Sequence, residues 1–226
     1  MLICLFISNY LKRKKAYNFS NRRDYDMYQL KDKYVEIKGK RIHFIEEGNG
    51  DPVLLFHGAR FNAYTWHETG TIKSISDNGF RAISVDFPGF GKSENVQGLK
   101  LTEFIKTFMD SLEIDKANLL GASMGGEAVL GFSVDYPNLV SSLILVGAVG
   151  VKNYENSLDK ISEIPVLLVW GSNDTISPKS NYELLLKKLK NAKLKIIGRN
   201  HACYLDNPEG FNNTVVEFLK GLKNGK

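Results

Sequence analysis

Short apolar runs and helical repeats alternate along this chain. Continuous apolar runs, as strands buried on both faces have, occur at residues 52–56, 80–85, 117–122, 140–146 and 165–170. Helices are predicted by spacing and by their flanking residues at 71–78, 101–112, 125–136, 182–189 and 211–222. A hairpin of strands 34–37 and 41–46, with its turn at Gly39-Lys40, comes first, and a last strand is predicted at 194–197. This order predicts an α/β fold with a mostly parallel central sheet and helices on both faces.

Size and charge narrow the class of protein. With 226 residues, of which 43% are hydrophobic and 24% charged, the chain suits a single globular domain over 27–226. The net charge is +5, but six basic and two acidic side chains within residues 1–26 account for four of these charges. The domain itself is nearly neutral and has no dense basic stripe, so we expect it to bind no nucleic acid.

The first 26 residues are predicted to be an extension outside the domain. Met1–Ile7 is apolar but much shorter than the ~20 residues that cross a bilayer, and no basic stretch precedes it as in a signal peptide. We expect a disordered extension with the natural start near Met27; the alternative is a weak surface anchor without stable membrane insertion. Cys4 and Cys203 are the two cysteines, too few for a disulfide framework, which predicts a reducing, cytoplasmic location.

The segment Gly121-Ala122-Ser123-Met124-Gly125 has the clearest chemical meaning. It lies between a predicted strand and a predicted helix, and Gly-x-Ser-x-Gly in that context is typical of a nucleophile elbow. The two glycines are expected to let the chain turn sharply and to place the Ser123 hydroxyl at the tip. A serine hydroxyl alone is a weak nucleophile, so a base and a carboxylate must follow.

His201 and Asp174 are the predicted base and carboxylate. His201 follows the last predicted strand, and Asp174 follows the strand that ends at Trp170. The chain order Ser, Asp, His is the order in which elbow hydrolases carry these groups. Asp174 would fix the tautomer of the imidazole and stabilise its protonated form.

Other candidates for these roles have simpler explanations. Asp206 is interpreted as the cap of the closing helix, because Pro208 follows at an early helical position. Asp86 precedes the elbow and is expected to organise its own glycine-rich turn. His43 lies on an early strand and is expected to be packed or exposed, and Cys203 lacks an activating helix terminus and is interpreted as a packed residue.

Two backbone N–H groups are predicted to stabilise the oxyanion. One belongs to Met124, directly after the nucleophile, and the other to Ala59, in the loop after the third strand. Gly58 would let that backbone approach closely, while His57 would hydrogen-bond within the loop. The candidate substrate contacts are Arg60, for a carboxylate or phosphate, and Phe61, Trp66 and Tyr204, as an apolar wall. The alternatives are an exposed arginine and core packing.

These residues resemble the α/β-hydrolase superfamily over roughly 34–222. The resemblance is carried by His57-Gly58 with Trp66, Asp86-x-Pro88-Gly89-x-Gly91-x-Ser93, the elbow, Gly171-x-x-Asp174 and His201. Segments 57–70 and 201–209 look like the lid-less abhydrolase-domain-containing type fourteen subfamily, whereas Gly126 is more typical of ordinary esterases and lipases. The subfamily resemblance implies hydrolysis of short acyl esters and links the chain to acyl transfer to coenzyme A.

The predicted function is hydrolysis of carboxylic esters of small acyl groups through an acyl-serine, with a small-molecule ester as the partner and no metal or cofactor. Only residues 147–163 separate two predicted strands, too few for a helical lid, so an open and shallow site is expected. The alternatives are acyl transfer to a thiol such as coenzyme A, a cofactor-free haloperoxidase, a C–C bond hydrolase, and a non-enzymatic binding module. The sequence carries no signal for the oligomeric state.

Overall fold

One eight-stranded sheet forms the centre of the molecule. The computed structural model describes residues 30–224, so the predictions for the extension at 1–26 and for Cys4 lie outside the described residues. The strands are β1 (Lys33–Ile37), β2 (Lys40–Glu47), β3 (Asp51–Phe56), β4 (Phe80–Val85), β5 (Ala117–Ala122), β6 (Val140–Val146), β7 (Val166–Trp170) and β8 (Ala192–Ile196). Their order across the sheet is β1-β2-β4-β3-β5-β6-β7-β8.

The sheet is antiparallel at one edge and parallel elsewhere. β1 pairs antiparallel with β2, and β2 with β4, whereas all remaining neighbours run parallel. Every residue of β5 and of β7 is buried, because helices cover both faces of a parallel sheet. The predicted α/β fold with a mostly parallel sheet is confirmed.

Residues 30–224 contain seven α-helices and two 3₁₀ helices, and the last two α-helices follow β8. The α-helices are α1 (Tyr64–Glu68), α2 (Thr71–Ser76), α3 (Leu101–Ser111), α4 (Met124–Asp135), α5 (Lys179–Lys188), α6 (Cys203–Asp206) and α7 (Pro208–Asn224), with 3₁₀ helices at Pro137–Leu139 and Val151–Ile161. In the described part of the chain no helix is long and apolar enough to cross a membrane.

The differences from the sequence prediction are local. The hairpin turn lies at Lys38 and Gly39, one position earlier than predicted; both residues have positive φ (51° and 73°), as a tight two-residue hairpin turn of type I′ requires. The short helices α1 and α6 were not predicted, because four or five residues are too few to establish a helical repeat of apolar positions.

The topology brings four loops to one edge of the sheet. β3, β5, β7 and β8 are parallel, so the loops after these strands all emerge at the same edge. Ser123 follows β5, while Asp174 and His201 follow β7 and β8. Between β6 and β7 the chain contains only the 3₁₀ helix Val151–Ile161, so the expected absence of a sizeable lid between these strands is confirmed.

Candidate active site

Ser123 forms the tip of a strained turn between β5 and α4. Its backbone has φ 54° and ψ −114°, a region that residues with a side chain rarely occupy. The turn is held because the N–H of Ser123 donates to the carbonyl of Val146 (2.9 Å) and its carbonyl accepts from Glu127 (3.0 Å). Such an outlier fits a residue that must be presented at the tip of an elbow.

The glycines of the elbow act through close approach, not through their own dihedral angles. Positive φ belongs to Ser123, and Gly121 and Gly125 are not among the residues with positive φ. A Cβ on Gly121 would overlap the carbonyl of Gly125, and a Cβ on Gly125 would lie 2.6 Å from the carbonyl oxygen of Phe56. The expectation that these glycines make the sharp turn is therefore wrong in its cause: they let α4 begin in contact with β5 and β3.

The structure brings His201 and Asp174 together. The ring Nδ1 of His201 lies 2.8 Å and 3.0 Å from the two carboxylate oxygens of Asp174. The backbone N–H groups of Ile176 and Ser177 each donate to Asp174 Oδ1 (2.9 Å), so the carboxylate cannot rotate freely. His201 Nε2 is buried and has no hydrogen-bond partner among the described residues.

This arrangement fixes the tautomer of His201. An ionised carboxylate only accepts hydrogen bonds, so Nδ1 carries the proton and Nε2 keeps its lone pair. No hydrogen bond between His201 and the Ser123 hydroxyl is present within residues 30–224. Catalytic hydrogen bonds are often long in a free enzyme and tighten when substrate binds.

The loops that carry Asp174 and His201 are joined through their backbones. The N–H groups of Ser172 and Asn173 donate to the carbonyls of Gly198 (3.2 Å) and Arg199 (2.8 Å). A Cβ on Gly171 would overlap the backbone of the histidine loop. The glycine in Gly-x-x-Asp therefore permits the contact that places Asp174 beside His201.

Gly147, which sequence reasoning missed, lies beneath the same pair. It follows β6 directly with φ 51°, and a Cβ there would lie 3.1 Å from both His201 Nδ1 and Asp174 Oδ2. Ser123 touches the same segment, because its carbonyl accepts from Val149 (3.4 Å). The only sequence signal was a glycine directly after a buried strand, and its neighbours became known only from the fold.

Asp206 has a different role from the predicted one. Its Oδ2 accepts the N–H groups of Arg199 (2.8 Å) and Asn200 (2.7 Å), so it shapes the histidine loop. The cap of α7 is Asn207, whose Oδ1 accepts from Gly210 (3.0 Å), with Pro208 at the first helical position. The prediction that Asp206 caps the closing helix is wrong by one residue.

The loop between β3 and α1, residues 57–63, lies against the elbow and is called the oxyanion loop below. A Cβ on Gly58 would lie 3.4 Å from the Cβ of Ser123. The N–H groups of Ala59 and Met124 donate no hydrogen bond to any residue that the structure describes, and Met124 is the first residue of α4, where N–H groups lack helical partners. Both donors are therefore available beside Ser123, and their role in catalysis stays a prediction.

His57 holds the start of the oxyanion loop, as predicted. Its Nδ1 donates to the carbonyl of Gly58 (2.8 Å) and its Nε2 accepts from the N–H of Phe87 (3.1 Å). Burial lowers the pKa of His57, which keeps the ring neutral and so preserves both contacts at physiological pH.

The four candidate substrate contacts differ in exposure. Arg60 is exposed and Phe61 is half-buried. Trp66 and Tyr204 are buried, with ring centroids 4.8 Å apart, and both pack on Phe211. Arg60 and Phe61 are therefore accessible from solvent, whereas Trp66 and Tyr204 are core residues, of which Tyr204 packs against Phe61 (ring centroids 6.0 Å apart).

A cavity of about 440 Å³ runs beside α4 and is lined by Met124, Ala128, Tyr136, Tyr154 and residues 100–103, among others. Met124 is the lining residue nearest to Ser123 in sequence, and Ser123, Asp174 and His201 do not line the cavity. Cys203 does not compete with Ser123, because burial raises the pKa of its thiol to about 12 and so keeps it protonated.

Comparison with known proteins agrees with this geometry. A family model described as the alpha/beta hydrolase fold matches residues 51–160. The chain has the α/β-hydrolase fold. ABHD14B of Rattus norvegicus, named as a candidate protein-lysine deacylase, is 28% identical to this chain over 207 residues, which are 86% of this chain and 98% of that protein.

The same likeness extends to a second relative and to a solved structure. ABHD14A of Danio rerio is 27% identical to this chain over 174 residues, and the match spans 75% of this chain but only 64% of that protein. The crystal structure of a predicted CIB-like hydrolase from Thermoplasma acidophilum has a TM-score of 0.81 and 27% identity, covering 85% of this chain and 99% of that one. The resemblance to the ABHD14 proteins is confirmed.

Proposed function

We propose that this α/β hydrolase is a serine esterase that cleaves carboxylic esters of small acyl groups. The observation that carries the proposal is the state of His201. Its Nδ1 is bound to Asp174, while its Nε2 is buried and without a partner among the described residues. A ring nitrogen in this state can accept a proton from a serine hydroxyl.

The mechanism runs through an acyl-serine. Ser123 Oγ attacks the acyl carbon while its proton passes to His201 Nε2, and Asp174 stabilises the imidazolium that forms. The N–H groups of Ala59 and Met124 donate to the oxyanion. The same proton then leaves with the alcohol, and water, deprotonated by His201, releases the acid.

The substrate preference follows from the surroundings of Ser123. No lid separates the elbow from solvent on the β6–β7 side, and within the oxyanion loop Arg60 is exposed and Phe61 is half-buried. Small acyl groups, or groups that protrude from a larger molecule, fit such a site better than long buried chains. A cytoplasmic location stays a prediction from the cysteine content.

A panel of nitrophenyl esters of increasing chain length tests the proposal. Wild type and Ser123→Ala are compared, with Ser111→Ala, an exposed serine at the end of α3, as the matched control. We expect turnover of the short esters that disappears in Ser123→Ala and persists in Ser111→Ala. Turnover that survives in Ser123→Ala, or is absent from wild type on every ester, would overturn the proposal.

A second candidate is deacylation with transfer to a thiol, favoured by the match over nearly all of ABHD14B. The acyl group would leave Ser123 when a thiolate forms the S–C bond and the serine O–C bond breaks, with the thiol proton passing through His201 to Ser123 Oγ. Incubation with an acetylated lysine peptide, with and without coenzyme A, distinguishes the two. Formation of acetyl-coenzyme A that requires Ser123 favours transfer, and acetate alone favours hydrolysis.

A further inference from the structure

Besides His201, a second histidine is hydrogen-bonded to aspartates. This residue, His43, lies between two carboxylates near the end of the oxyanion loop. His43, on β2, is fully buried. Its Nδ1 lies 2.7 Å from Asp86 Oδ2 and its Nε2 lies 2.8 Å from Asp32 Oδ1. Because both ring nitrogens face carboxylates, both carry protons and the ring is an imidazolium. Burial alone would lower the pKa of His43, but the hydrogen bonds to Asp86 and Asp32 raise it above its ordinary value.

Asp86 contacts both His43 and the end of the oxyanion loop. It follows β4 directly and is 1% exposed. Its Oδ1 accepts the N–H of Ala63 (2.6 Å), the last residue of the loop, and its Oδ2 also accepts the N–H of Lys92 (2.8 Å). The carbonyl of Ala63 accepts in turn from the hydroxyl of Ser84 (2.9 Å). Both backbone groups of Ala63 are thus held by residues at the end of β4.

The start of the oxyanion loop, at His57, is also held by a residue just after β4. His57 Nε2 accepts from Phe87, the residue after Asp86, and His57 Nδ1 donates to Gly58. Ala59 therefore lies between two anchored points. Since the N–H of Ala59 has no partner of its own in the part of the chain that the structure describes, the direction in which it points depends on these two anchors.

Asp32 completes the chain of contacts just before β1. Besides His43, it accepts hydrogen bonds from the Tyr64 hydroxyl and the Lys92 ammonium. Tyr64 directly follows Ala63, and its ring stacks on His43 with centroids 5.8 Å apart. The two carboxylates Asp32 and Asp86 are thus balanced by two cations, His43 and Lys92, around the end of the oxyanion loop.

We propose that Asp32, His43 and Asp86 are positioning residues that hold the oxyanion loop so that the N–H of Ala59 faces the reacting carbonyl. The proposal rests on the proposed serine hydrolase function. Oxyanion donors act on charge that develops in the transition state, so a misdirected donor lowers kcat and leaves the binding of the ground state nearly unchanged.

Asp32→Asn and His43→Gln in the full chain test the proposal. Asp32 is one-third exposed, so Asp32→Asn is expected to fold even where His43→Gln does not. The matched control is Glu46→Gln. Glu46 lies on the same strand as His43 and pairs with Lys33 and Arg81 (2.7 Å each), but it has no contact with the oxyanion loop among the interactions of the described residues.

The measurements are kcat and KM on a nitrophenyl ester, the rate at which a fluorophosphonate labels Ser123, and the melting temperature. We expect kcat and the labelling rate to fall about tenfold in Asp32→Asn and at least as far in His43→Gln, with KM within about twofold. Glu46→Gln is expected to keep kcat within about twofold even where its melting temperature falls as far.

The outcomes separate this proposal from the one on which it rests. Ser123-dependent turnover in wild type together with an unchanged kcat in Asp32→Asn would overturn the positioning role alone. An equal loss of kcat in Glu46→Gln would also overturn it, since the effect would then be general loosening. Wild type without turnover or labelling at Ser123 would overturn the serine hydrolase function and the positioning role together.

Discussion

Within residues 30–224, the rings of His201 and His43 are both hydrogen-bonded to aspartates, but the two rings differ at one nitrogen. His201 is bound to Asp174 through Nδ1 and keeps Nε2 without a partner among the described residues. His43 is bound to carboxylates through both nitrogens. Both histidines form an Asp–His pair, so the difference lies in the second ring nitrogen. A nitrogen without a partner, called the vacant nitrogen below, allows a histidine to act as a base, whereas a ring bound through both nitrogens is a structural cation. A histidine held on both sides can transmit position but cannot accept a proton.

Removal of the vacant nitrogen is expected to have the largest effect. His201→Gln should lower kcat by about 10⁴-fold or more, because the base and its acid function are lost together. His43→Gln, in contrast, should cost about tenfold. Steady-state kinetics on one short ester compares the two. Losses of similar size would mean that the distinction between the two histidines is wrong.

Replacement of Asp174, which contacts the His201 ring, and of Asp206, which contacts the backbone of the histidine loop, extends this comparison. Asp174→Asn should lower kcat by about 10³–10⁴-fold, because the amide no longer favours the required tautomer of His201. Asp206→Asn should lower it by about tenfold or less, since Asp206 touches only the backbone of the histidine loop and the Asn200 side chain. A larger loss in Asp206→Asn, measured in the same assay, would reverse the assignment.

Crowding of the His201–Asp174 pair should have an intermediate effect. Gly147→Ala is expected to lower kcat by about 10²-fold, because the new Cβ would displace His201 as well as strain the backbone. Gly98→Ala is the matched control: Gly98 also has positive φ (72°), but a Cβ there meets nothing within 4 Å. If both variants are destabilised to a similar degree and only Gly147→Ala loses kcat, the loss comes from contact with the His201–Asp174 pair and not from backbone strain.

The pH dependence of stability should reveal the charge of His43, with the smallest effect of these tests. The raised pKa of His43 means that its contribution is complete below the ordinary histidine value of about 6.5 and is lost as pH rises through the folded value. The hydrogen bond from Lys92 lowers the pKa of Asp32, and contacts with His43 lower that of Asp86 against the effect of burial. Their contribution is therefore lost as pH falls below about 4.

Urea unfolding of wild type and His43→Gln across pH 4–9 measures this. The difference in the free energy of unfolding should be largest between about pH 4 and 6.5 and should shrink toward pH 9. Among the described residues, the charged and titratable groups around His43 are Asp32, Asp86, Lys92, Tyr64 and Tyr34, whose ring centroid lies 5.3 Å from that of His43. The lowered pKa values of Asp32 and Asp86 and the raised pKa values of Lys92 and Tyr64 keep the charges of these four groups constant across this range. A difference that grows with pH would contradict the assignment of a buried imidazolium.

Features that depend on order along the chain could be predicted from the sequence. The strand and helix alternation, the elbow at Ser123 and the order of Asp174 and His201 each depend on neighbouring residues or on succession. The pairing of His43 with Asp86 joins residues 43 positions apart. His43 lies on β2 and Asp86 directly follows β4, and no local pattern shows that these two strands are antiparallel neighbours. Asp206 was misassigned because a helix start one residue later offered a sufficient local explanation.

The importance of Gly147 could not be predicted from the sequence either. Its importance comes from the atoms that an added side chain would touch, and those atoms belong to loops after β7 and β8. Periodicity and turn signals describe the residues that are present. These signals do not show that a position must lack a side chain because a histidine distant in sequence lies beside it.

The backbone of Ser123 has a consequence for the stability of this protein. A positive φ at a residue with a side chain costs about 1–3 kcal/mol, which a glycine would recover. Ser123→Gly should therefore unfold at a higher temperature than Ser123→Ala while being equally inactive. A serine at this position therefore costs stability, and the proposed nucleophilic role of Ser123 would account for that cost.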